Sequence, residues 1–313
     1  MRKQISLLVF AFLLTCPIHA QHPDPVTKWA TIAANEFRVF PNIVYQKANN
    51  VNLKLDVITT GSPDDVKPTL IYFHGGGWVE GAKEGTPMAL LPYLARGMDV
   101  VTVEYRLAPE SLAPAAVEDC RCALHWVFQH AKEYGFDTSK IVTAGHSAGG
   151  HLALMTGMLE PSAGFDNACQ RLPKEWRLRT TDDVKVAAII NFFGPTDLID
   201  LVQGSDTRNY AVRWFGNLQD RTELAKRLSP LTFVRKGLPP ILTIQGDQDT
   251  IVPYQQGVRL HEALDRSSDP NELVTIQRGG HGSTAPFAWT REQNLHAQEK
   301  VFRFLEKYGI LSP

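Results

Sequence analysis

The sequence predicts an α/β protein in which helices flank a mainly parallel central sheet. Two observations support this prediction. Short apolar or β-branched segments alternate with helical patterns through most of the chain, as in proteins with parallel sheets. Several of these short segments are apolar throughout, as expected of strands that are covered on both faces. Hydrophobic residues make up 43% of the 313 residues, which is enough to cover both faces of such a sheet.

Seven segments are predicted to be strands because each is short, apolar or β-branched, and bounded by Gly, Pro or Asp. Helical periodicity precedes, separates and follows them. The predicted strands are residues 53–58, 69–73, 100–105, 141–144, 186–192, 241–244 and 273–276, and the predicted helices are residues 27–37, 115–134, 147–159, 254–265 and 291–308.

Residues 198–235 interrupt the alternation of strands and helices. This segment has mixed charge and contains two bulky rings, Trp214 and Phe215. It is predicted to form a small helical insertion that lies over one edge of the sheet as a cap. Residues 21–313 are therefore expected to form a single domain that carries this insertion.

The first twenty residues have the pattern of a secretory signal peptide. Arg2 and Lys3 are basic, residues 5–14 are apolar, and Ala20 is a small residue suited to the cleavage site. No other stretch is apolar enough to cross a bilayer, so no integral membrane association is expected. The 32 basic and 33 acidic residues leave no basic surface for nucleic acid. The mature protein is expected to be secreted or periplasmic.

Removal of the signal peptide leaves an odd number of cysteines, Cys120, Cys122 and Cys169. Cys120 and Cys122 lie two apart on a predicted helix and point to different faces, so they are not expected to bond each other. In an exported protein, either one could pair with Cys169. The alternative is three buried, unpaired thiols. No cysteine has the spacing of a metal ligand, and neither a metal nor a cofactor is predicted.

The segment GHSAG, residues 145–149, fits the pattern G-x-S-x-G between a predicted strand and a predicted helix. In this pattern a serine occupies a strained strand-to-helix turn, and small neighbours relieve the crowding. Such a turn exposes the serine hydroxyl at the carboxyl end of the sheet. Ser147 is therefore predicted to be a nucleophile.

A serine hydroxyl needs an adjacent base to attack a carbonyl at neutral pH. Of the ten histidines, His281 alone lies in a glycine-rich loop, RGGHGS, after a predicted strand and before the last helix. In this architecture the base follows the acid along the chain. His281 is predicted to be the general base.

The acid that orients this base is expected after the preceding strand, in the segment ILTIQGDQDTIVP. Asp249 is the favoured residue because it can reach outward toward His281. Asp247 directly follows Gly246 and is expected to shape the turn. Asp197, in the segment FFGPTDL, is the outside candidate.

Hydrolysis by a serine also requires donors for the developing oxyanion. The segment FHGGGW, residues 73–78, follows a predicted strand. Its consecutive glycines let backbone N–H groups approach a substrate closely, as in the HGGG-type loop. The amide of Ala148, directly after the nucleophile, is expected to supply a further donor.

In order and spacing, HGGGW, VEYRLAP, GHSAGG, GDQDTIVP and GGHG resemble the α/β-hydrolase esterases related to hormone-sensitive lipase. The segment NNVNLKLDVI is similar to the bifunctional feruloyl/acetyl-xylan esterase branch. The resemblance covers about residues 40 to 308. It implies an α/β-hydrolase fold with Ser147, Asp249 and His281 as the triad and Gly76, Gly77 and Ala148 as oxyanion donors. Trp78, His146 and Trp214 are the candidate substrate-binding residues, with Trp78 on the acyl side and Trp214 closing the pocket from above.

The function expected from these features is a secreted serine carboxylic ester hydrolase. Its substrates would be small acyl or aryl esters, either free small molecules or ester groups linked to a polysaccharide. An amidase or peptidase with the same triad is the alternative within hydrolases, and a non-catalytic binding protein is the alternative outside them. The physiological ester and the oligomeric state are left open by the sequence.

Overall fold

The computed structural model describes residues 25–169, 184–203, 207–217, 219–284 and 286–313. The predicted signal peptide, residues 1–20, lies outside the described residues. Close contacts divide the chain into two compact units. The described part of the first unit is the helix α1, Pro25–Glu36, and the second unit is Phe37–Pro313.

The second unit is built on one eight-stranded sheet. Its spatial order is β1-β2-β4-β3-β5-β6-β7-β8. Strands β4, β3, β5, β6, β7 and β8 are neighbours in this order and pair in parallel. At one edge, β1 pairs antiparallel with β2, and β2 pairs antiparallel with β4. The prediction of a mainly parallel sheet is confirmed. The strands are β1 Phe37–Ala48, β2 Val51–Thr60, β3 Lys67–Phe73, β4 Asp99–Val103, β5 Phe136–His146, β6 Ala188–Phe192, β7 Ile241–Gly246 and β8 Asn271–Ile276.

Helices connect the strands and cover the sheet. The predicted helices beginning at residues 115, 147, 254 and 291 are all present, with ends that differ by a few residues. The helices are α2 Pro87–Ala95, α3 Ala115–Gln129, α4 Ala131–Tyr134, α5 Ala148–Met158, α6 Leu198–Val202, α7 Asn209–Phe215, α8 Arg221–Arg227, α9 Gln255–Ser267 and α10 Arg291–Lys307. Short α6, α7 and α8 fall within the segment 198–235 that was predicted to be a helical insertion.

Two hydrophobic clusters cover the two faces of the sheet. Along β3, Ile71 and Phe73 point into one cluster, and Leu70 and Tyr72 point into the other. Successive side chains of a strand alternate between faces, so a strand buried on both sides must be apolar at consecutive positions. This explains why the central strands read as continuous apolar runs. Helices α3 and α5 belong to the first cluster, and α2 and α10 to the second.

Parallel pairing brings the carboxyl ends of the central strands to the same edge of the sheet. Strands β3, β5, β6 and β7 end at Phe73, His146, Phe192 and Gly246. The segments after these residues carry the predicted oxyanion glycines, nucleophile and acid. Open α/β sheets bind ligands at this edge.

A disulfide joins Cys122 to Cys169. Cys120 is a free thiol and is fully buried. Of the pairings that the sequence left open, the structure contains the one between Cys122 and Cys169. Within the described ranges, no helix is long and apolar enough to cross a membrane.

Candidate active site

Ser147 occupies the turn between β5 and α5 in a strained backbone conformation. Its φ is 54° and its ψ is −123°, a region that costs a non-glycine residue about 1–3 kcal/mol. Two hydrogen bonds hold the turn. The Ser147 amide donates to the Phe192 carbonyl over 2.9 Å, and the His151 amide donates to the Ser147 carbonyl over 3.1 Å.

The small residues beside Ser147 are required by a close approach of two backbones. A Cβ atom at Gly149 would lie 2.0 Å from the carbonyl oxygen of Phe73, at the end of β3. A Cβ atom at Gly145 would lie 2.4 Å from the backbone of Gly149. Neither contact is sterically possible without a backbone shift. The glycines of the G-x-S-x-G pattern therefore set how closely the nucleophile turn packs against β3.

His281 and Asp249 form a buried hydrogen-bonded pair. The Nδ1 atom of His281 lies 2.7 Å from Oδ2 of Asp249, and the Asp249 side chain is 0% exposed. The other oxygen, Oδ1, accepts the amides of Ile251 and Val252, each over 2.9 Å. Because an ionised carboxylate only accepts, Nδ1 carries the proton and Nε2 is left as the basic nitrogen.

The two alternative acids have other partners. Asp247 accepts the amide of Arg278 over 2.6 Å and so ties together two loops. Asp197 caps α6 by accepting the amide of Ile199 over 3.1 Å, and it also pairs with Arg259. Of the three candidate acids, the structure brings only Asp249 to His281.

Gly76 and Gly77 lie on the loop after β3 with positive φ values of 115° and 59°. The Gly76 carbonyl accepts the amides of Val79 and Glu80, which closes the loop into a tight turn. The amides of Gly76, Gly77 and Ala148 donate to no acceptor in the part of the chain that the structure describes. Ala148 opens α5, where the first amides of a helix have no partner within it.

Ser147, His281, Gly76 and Gly77 line one cavity of about 570 Å³. No group of three or more His, Cys, Asp or Glu side chains among the described residues could hold a metal ion. The remaining walls of this active-site cavity mix polar, charged and apolar groups. They are formed by Val79, Glu80, His146, Phe193, Asn209, Tyr210, Arg213, Ile251, Ser283 and Thr284.

Two of the three residues expected to contact substrate do not line this cavity. Trp78 and Trp214 are both 0% exposed, and their rings stack on each other with centroids 4.3 Å apart. The expectation that Trp78 lines the acyl side and that Trp214 closes the pocket is therefore wrong. The positive φ of Trp78, 59°, turns its ring into the core under the glycine loop. Only His146 lines the cavity as expected.

His146 is a neutral wall residue. Burial, with smaller contributions from the nearby His74 and His281, lowers the pKa of His146 to about 4. Its Nδ1 atom lies 2.7 Å from the hydroxyl of Tyr72. Burial also raises the pKa of Tyr72 to about 12, so that both partners are uncharged at neutral pH.

Of the wall residues that the sequence analysis missed, two contact the proposed base or the glycine loop. Phe193 follows β6 with a φ of 42°, and its ring centroid lies 4.5 Å from that of His281. Tyr210, on α7, donates to the carbonyl of Ile251 over 3.2 Å and packs against Gly77, where a Cβ atom would lie 2.8 Å from Tyr210 Cβ. No motif marks either residue. The only local feature that sets Phe193 apart in the sequence is its place between Phe192 and Gly194.

The fold and the site define an α/β-hydrolase. The chain belongs to the BD-FAE family, whose model matches residues 55–264. Among curated proteins, the esterase LipC of Mycobacterium tuberculosis is 28% identical over 229 residues, which cover 70% of this chain and 54% of LipC. The carboxylesterase NlhH of the same organism is 31% identical over 192 residues, which cover 60% of this chain and 58% of NlhH. The chain thus spans about half the length of the curated relatives that it matches.

Solved structures of an esterase share the fold more completely. Esterase 2 of Thermogutta terrifontis, phosphorylated by paraoxon, superposes with a TM-score of 0.71 at 27% identity. The match covers 89% of this chain and 96% of that one. The butyrate-bound form of the same esterase gives a TM-score of 0.71 over 87% of this chain and 95% of that one, also at 27% identity. The predicted α/β-hydrolase fold is confirmed.

Replacement of Asp249 by Asn is expected to abolish most ester hydrolysis, the reaction of the esterases above. Asn preserves the volume but removes the charge that stabilises a protonated His281, and it can present an N–H to Nδ1. The loss in kcat should be on the order of 10³- to 10⁴-fold, by analogy with serine proteases. The matched control is Asp247→Asn, which keeps an oxygen for the Arg278 amide and should stay within about fivefold of wild type.

Hydrolysis of p-nitrophenyl acetate by the two purified variants measures both effects. A larger loss in Asp247→Asn than in Asp249→Asn would contradict this assignment of the acid.

Proposed function

We propose that this chain is an exported serine carboxylic ester hydrolase that acts through an acyl-enzyme on small acyl or aryl esters. The observation that carries the proposal is the buried pair of His281 and Asp249, which shares one cavity with Ser147 and the glycine loop. Family membership and the esterases among its relatives support the same reaction class.

In the first half of the proposed reaction, the hydroxyl of Ser147 attacks the ester carbonyl. Nε2 of His281 accepts the hydroxyl proton, and Asp249 stabilises the resulting imidazolium. The carbonyl oxygen becomes an oxyanion that faces the amides of Gly76, Gly77 and Ala148. A single such donor is typically responsible for a factor of about 10²–10³ in kcat. The tetrahedral intermediate then collapses, and the imidazolium of His281 protonates the departing alcohol.

The second half releases the acid. Water replaces the alcohol and gives a proton to Nε2 of His281 as it attacks the carbonyl of the acyl group on Ser147. The same amides stabilise the second oxyanion. Collapse breaks the bond to Ser147, whose oxygen recovers its proton from His281. The enzyme returns to its starting state, and one ester has become one acid and one alcohol.

The substrate class is proposed from the walls of the active-site cavity. Glu80 and Arg213 are exposed charged residues that line it, and a long alkyl chain gains no stabilisation from contact with charged groups. Structures of the neighbouring Thermogutta esterase 2 with butyrate and with propionate bound favour short acyl groups as well. The resemblance to feruloyl/acetyl-xylan esterases favours acetyl or hydroxycinnamoyl esters, including esters linked to a polysaccharide.

Export of the protein is supported by two features. One is the basic and apolar pattern of residues 1–20. The other is the bond between Cys122 and Cys169, since disulfides persist mainly in oxidising compartments outside the cytoplasm.

A series of p-nitrophenyl esters from acetyl to palmitoyl tests the reaction and the substrate class together. We expect the highest kcat/KM between acetyl and butyryl, and a value at least about tenfold lower for palmitoyl. The Ser147→Ala variant is the control for the reaction, because any hydrolysis that does not depend on the Ser147 hydroxyl would remain in this variant. An optimum at palmitoyl would make a lipase the better description, and an Ala variant with more than about a tenth of the wild-type rate would refute the nucleophile.

The intact mass of the chain recovered outside the cytoplasm of an expressing bacterium tests export. We expect a chain that lacks residues 1–20 and gains mass on alkylation at Cys122 and Cys169 only after reduction. The Cys122→Ser variant should expose Cys169 to alkylation without reduction. A full-length chain confined to the cytoplasm would contradict the proposal.

A further inference from the structure

Gln245 is a buried polar side chain that has no part in the reaction described above. It lies on β7 next to Ile244, and both residues are 0% exposed. Its Oε1 atom has no hydrogen-bond partner among the residues that the structure describes. Burying an amide oxygen without a partner is unfavourable, and an apolar side chain would fill the same space without that cost. Filling the core therefore does not explain a glutamine at this position.

The N–H donors of Gln245 point to the turn that carries the acid. We call residues 249–253 the acid turn. Nε2 of Gln245 donates to the Val252 carbonyl over 2.9 Å and to the Pro253 carbonyl over 3.3 Å. The Pro253 carbonyl also accepts the amide of Gln256 over 2.9 Å, whereas the Val252 carbonyl accepts from no other group in the described ranges. Val252 therefore depends on Gln245 for this contact with the sheet.

The acid turn holds the carboxylate of Asp249 through its backbone. Oδ1 of Asp249 accepts the amides of Ile251 and Val252, each over 2.9 Å, and Oδ2 lies 2.7 Å from Nδ1 of His281. Val252 is therefore held on two sides, because its N–H binds the carboxylate and its carbonyl binds Gln245. A shift of Val252 would move a donor of Asp249 and with it the oxygen that faces His281.

The amide of Gln245 has one orientation that fits. Its Oε1 atom faces α9 at Gly257, where a Cβ atom would lie 2.6 Å from this oxygen. The reverse orientation would put Oε1 against the two carbonyls of the acid turn, which are acceptors as well. Gly257 therefore leaves the space that the Gln245 amide occupies.

The insertion holds the acid turn at a second point. The Ile251 carbonyl accepts the hydroxyl of Tyr210 and Nε of Arg208, each over 3.2 Å. Successive carbonyls of the acid turn thus bind donors from the insertion and from β7. Because β7 pairs with β6 on one side and β8 on the other, Gln245 ties the acid turn to the interior of the sheet.

We propose that Gln245 is a positioning residue, which holds the acid turn so that Asp249 keeps the geometry required by His281. This inference rests on the proposed ester hydrolysis. Gln245 is not among the residues that line the active-site cavity, and it acts on the reaction only through Asp249. A displacement of about 1 Å in a catalytic group can cost about 10²-fold in rate, even when the mutation lies far from the chemistry.

Replacement of Gln245 by Met removes both donors with little change in volume. Asp249 takes part in both halves of the reaction, so we expect kcat for p-nitrophenyl acetate to fall at least about tenfold and KM to stay within about threefold. In the Asp249→Asn background, Gln245→Met should change kcat by less than about twofold, since the charge that Gln245 positions is gone. Damage unrelated to Asp249 would cost the same factor in both backgrounds and would overturn the positioning role.

Two further variants complete this test. Gly257→Ala keeps every hydrogen-bonding group, favours α9 by its helix propensity and adds a methyl group against Oε1 of Gln245. It should lower kcat at least about threefold, and only when Asp249 is present, which keeps the test valid if Gln245→Met does not fold. The matched control is Thr243→Val on the same strand, which removes a buried hydrogen bond of 3.2 Å to Asn191 on β6. Thr243→Val should leave kcat within about twofold of wild type, and a loss equal to that of Gln245→Met would overturn the positioning role.

A measurement without substrate separates the positioning role from ester hydrolysis. The proton on Nδ1 of His281 should resonate far downfield in the proton NMR spectrum because it lies in a short hydrogen bond to a carboxylate, and its loss in His281→Gln assigns it. Its exchange with water should be at least about fivefold faster in Gln245→Met than in wild type, and unchanged in Thr243→Val. Unchanged exchange and unchanged kcat in Gln245→Met would overturn the positioning role and leave the proposed function standing. Faster exchange in a protein that hydrolyses no ester would overturn the proposed function and keep the positioning role.

Discussion

The close packing of the nucleophile turn against the end of β3 is the constraint on which the rest of the site depends. The backbone at Gly149 approaches the Phe73 carbonyl so closely that no Cβ atom fits between them. Helix α5, buried along almost its whole length, holds that contact in place. The contact leaves Ser147 in a backbone conformation that is strained by about 1–3 kcal/mol, and Ser147 lines the same cavity as His281. Gly76 and Gly77 of the glycine loop after β3 line that cavity as well.

The loops around Ser147 are held by contacts with the helical insertion. Tyr210 on α7 packs against Gly77, and its hydroxyl donates a hydrogen bond to the Ile251 carbonyl. One residue therefore contacts both the glycine loop and the loop that carries Asp249. Deeper in the core, Trp214 of the same helix stacks on Trp78 of the glycine loop. Hydrogen-bond donors and an acid–base pair lower the activation barrier when they are held in position before charge develops in the transition state. The insertion therefore supports the geometry of the site together with α5, whose His151 ring contacts Trp214 with centroids 5.7 Å apart.

Much of this arrangement was predictable from the sequence because its parts are local. The G-x-S-x-G turn between a strand and a helix, and the run of glycines after β3, both reflect short-range steric requirements. Because the strands are parallel, the segments that follow their carboxyl ends then meet at one edge of the sheet. Strand β1 was missed because Pro41 and two register shifts interrupt its pattern. Helix α2 was missed because Pro87 and Pro92 lie within it. Trp78 and Trp214 were placed wrongly because a sequence does not show whether a large ring faces a pocket or the core.

The account centres on Ser147 as the group that forms a covalent bond with substrate. A p-nitrophenyl alkylphosphonate tests this directly, since it forms a stable adduct with an activated serine and releases p-nitrophenol as it does so. We expect one equivalent of p-nitrophenol per chain, loss of esterase activity in proportion, and the adduct on the peptide that contains Ser147. Labelling of a different residue with loss of activity, or full activity after complete labelling of Ser147, would contradict the account.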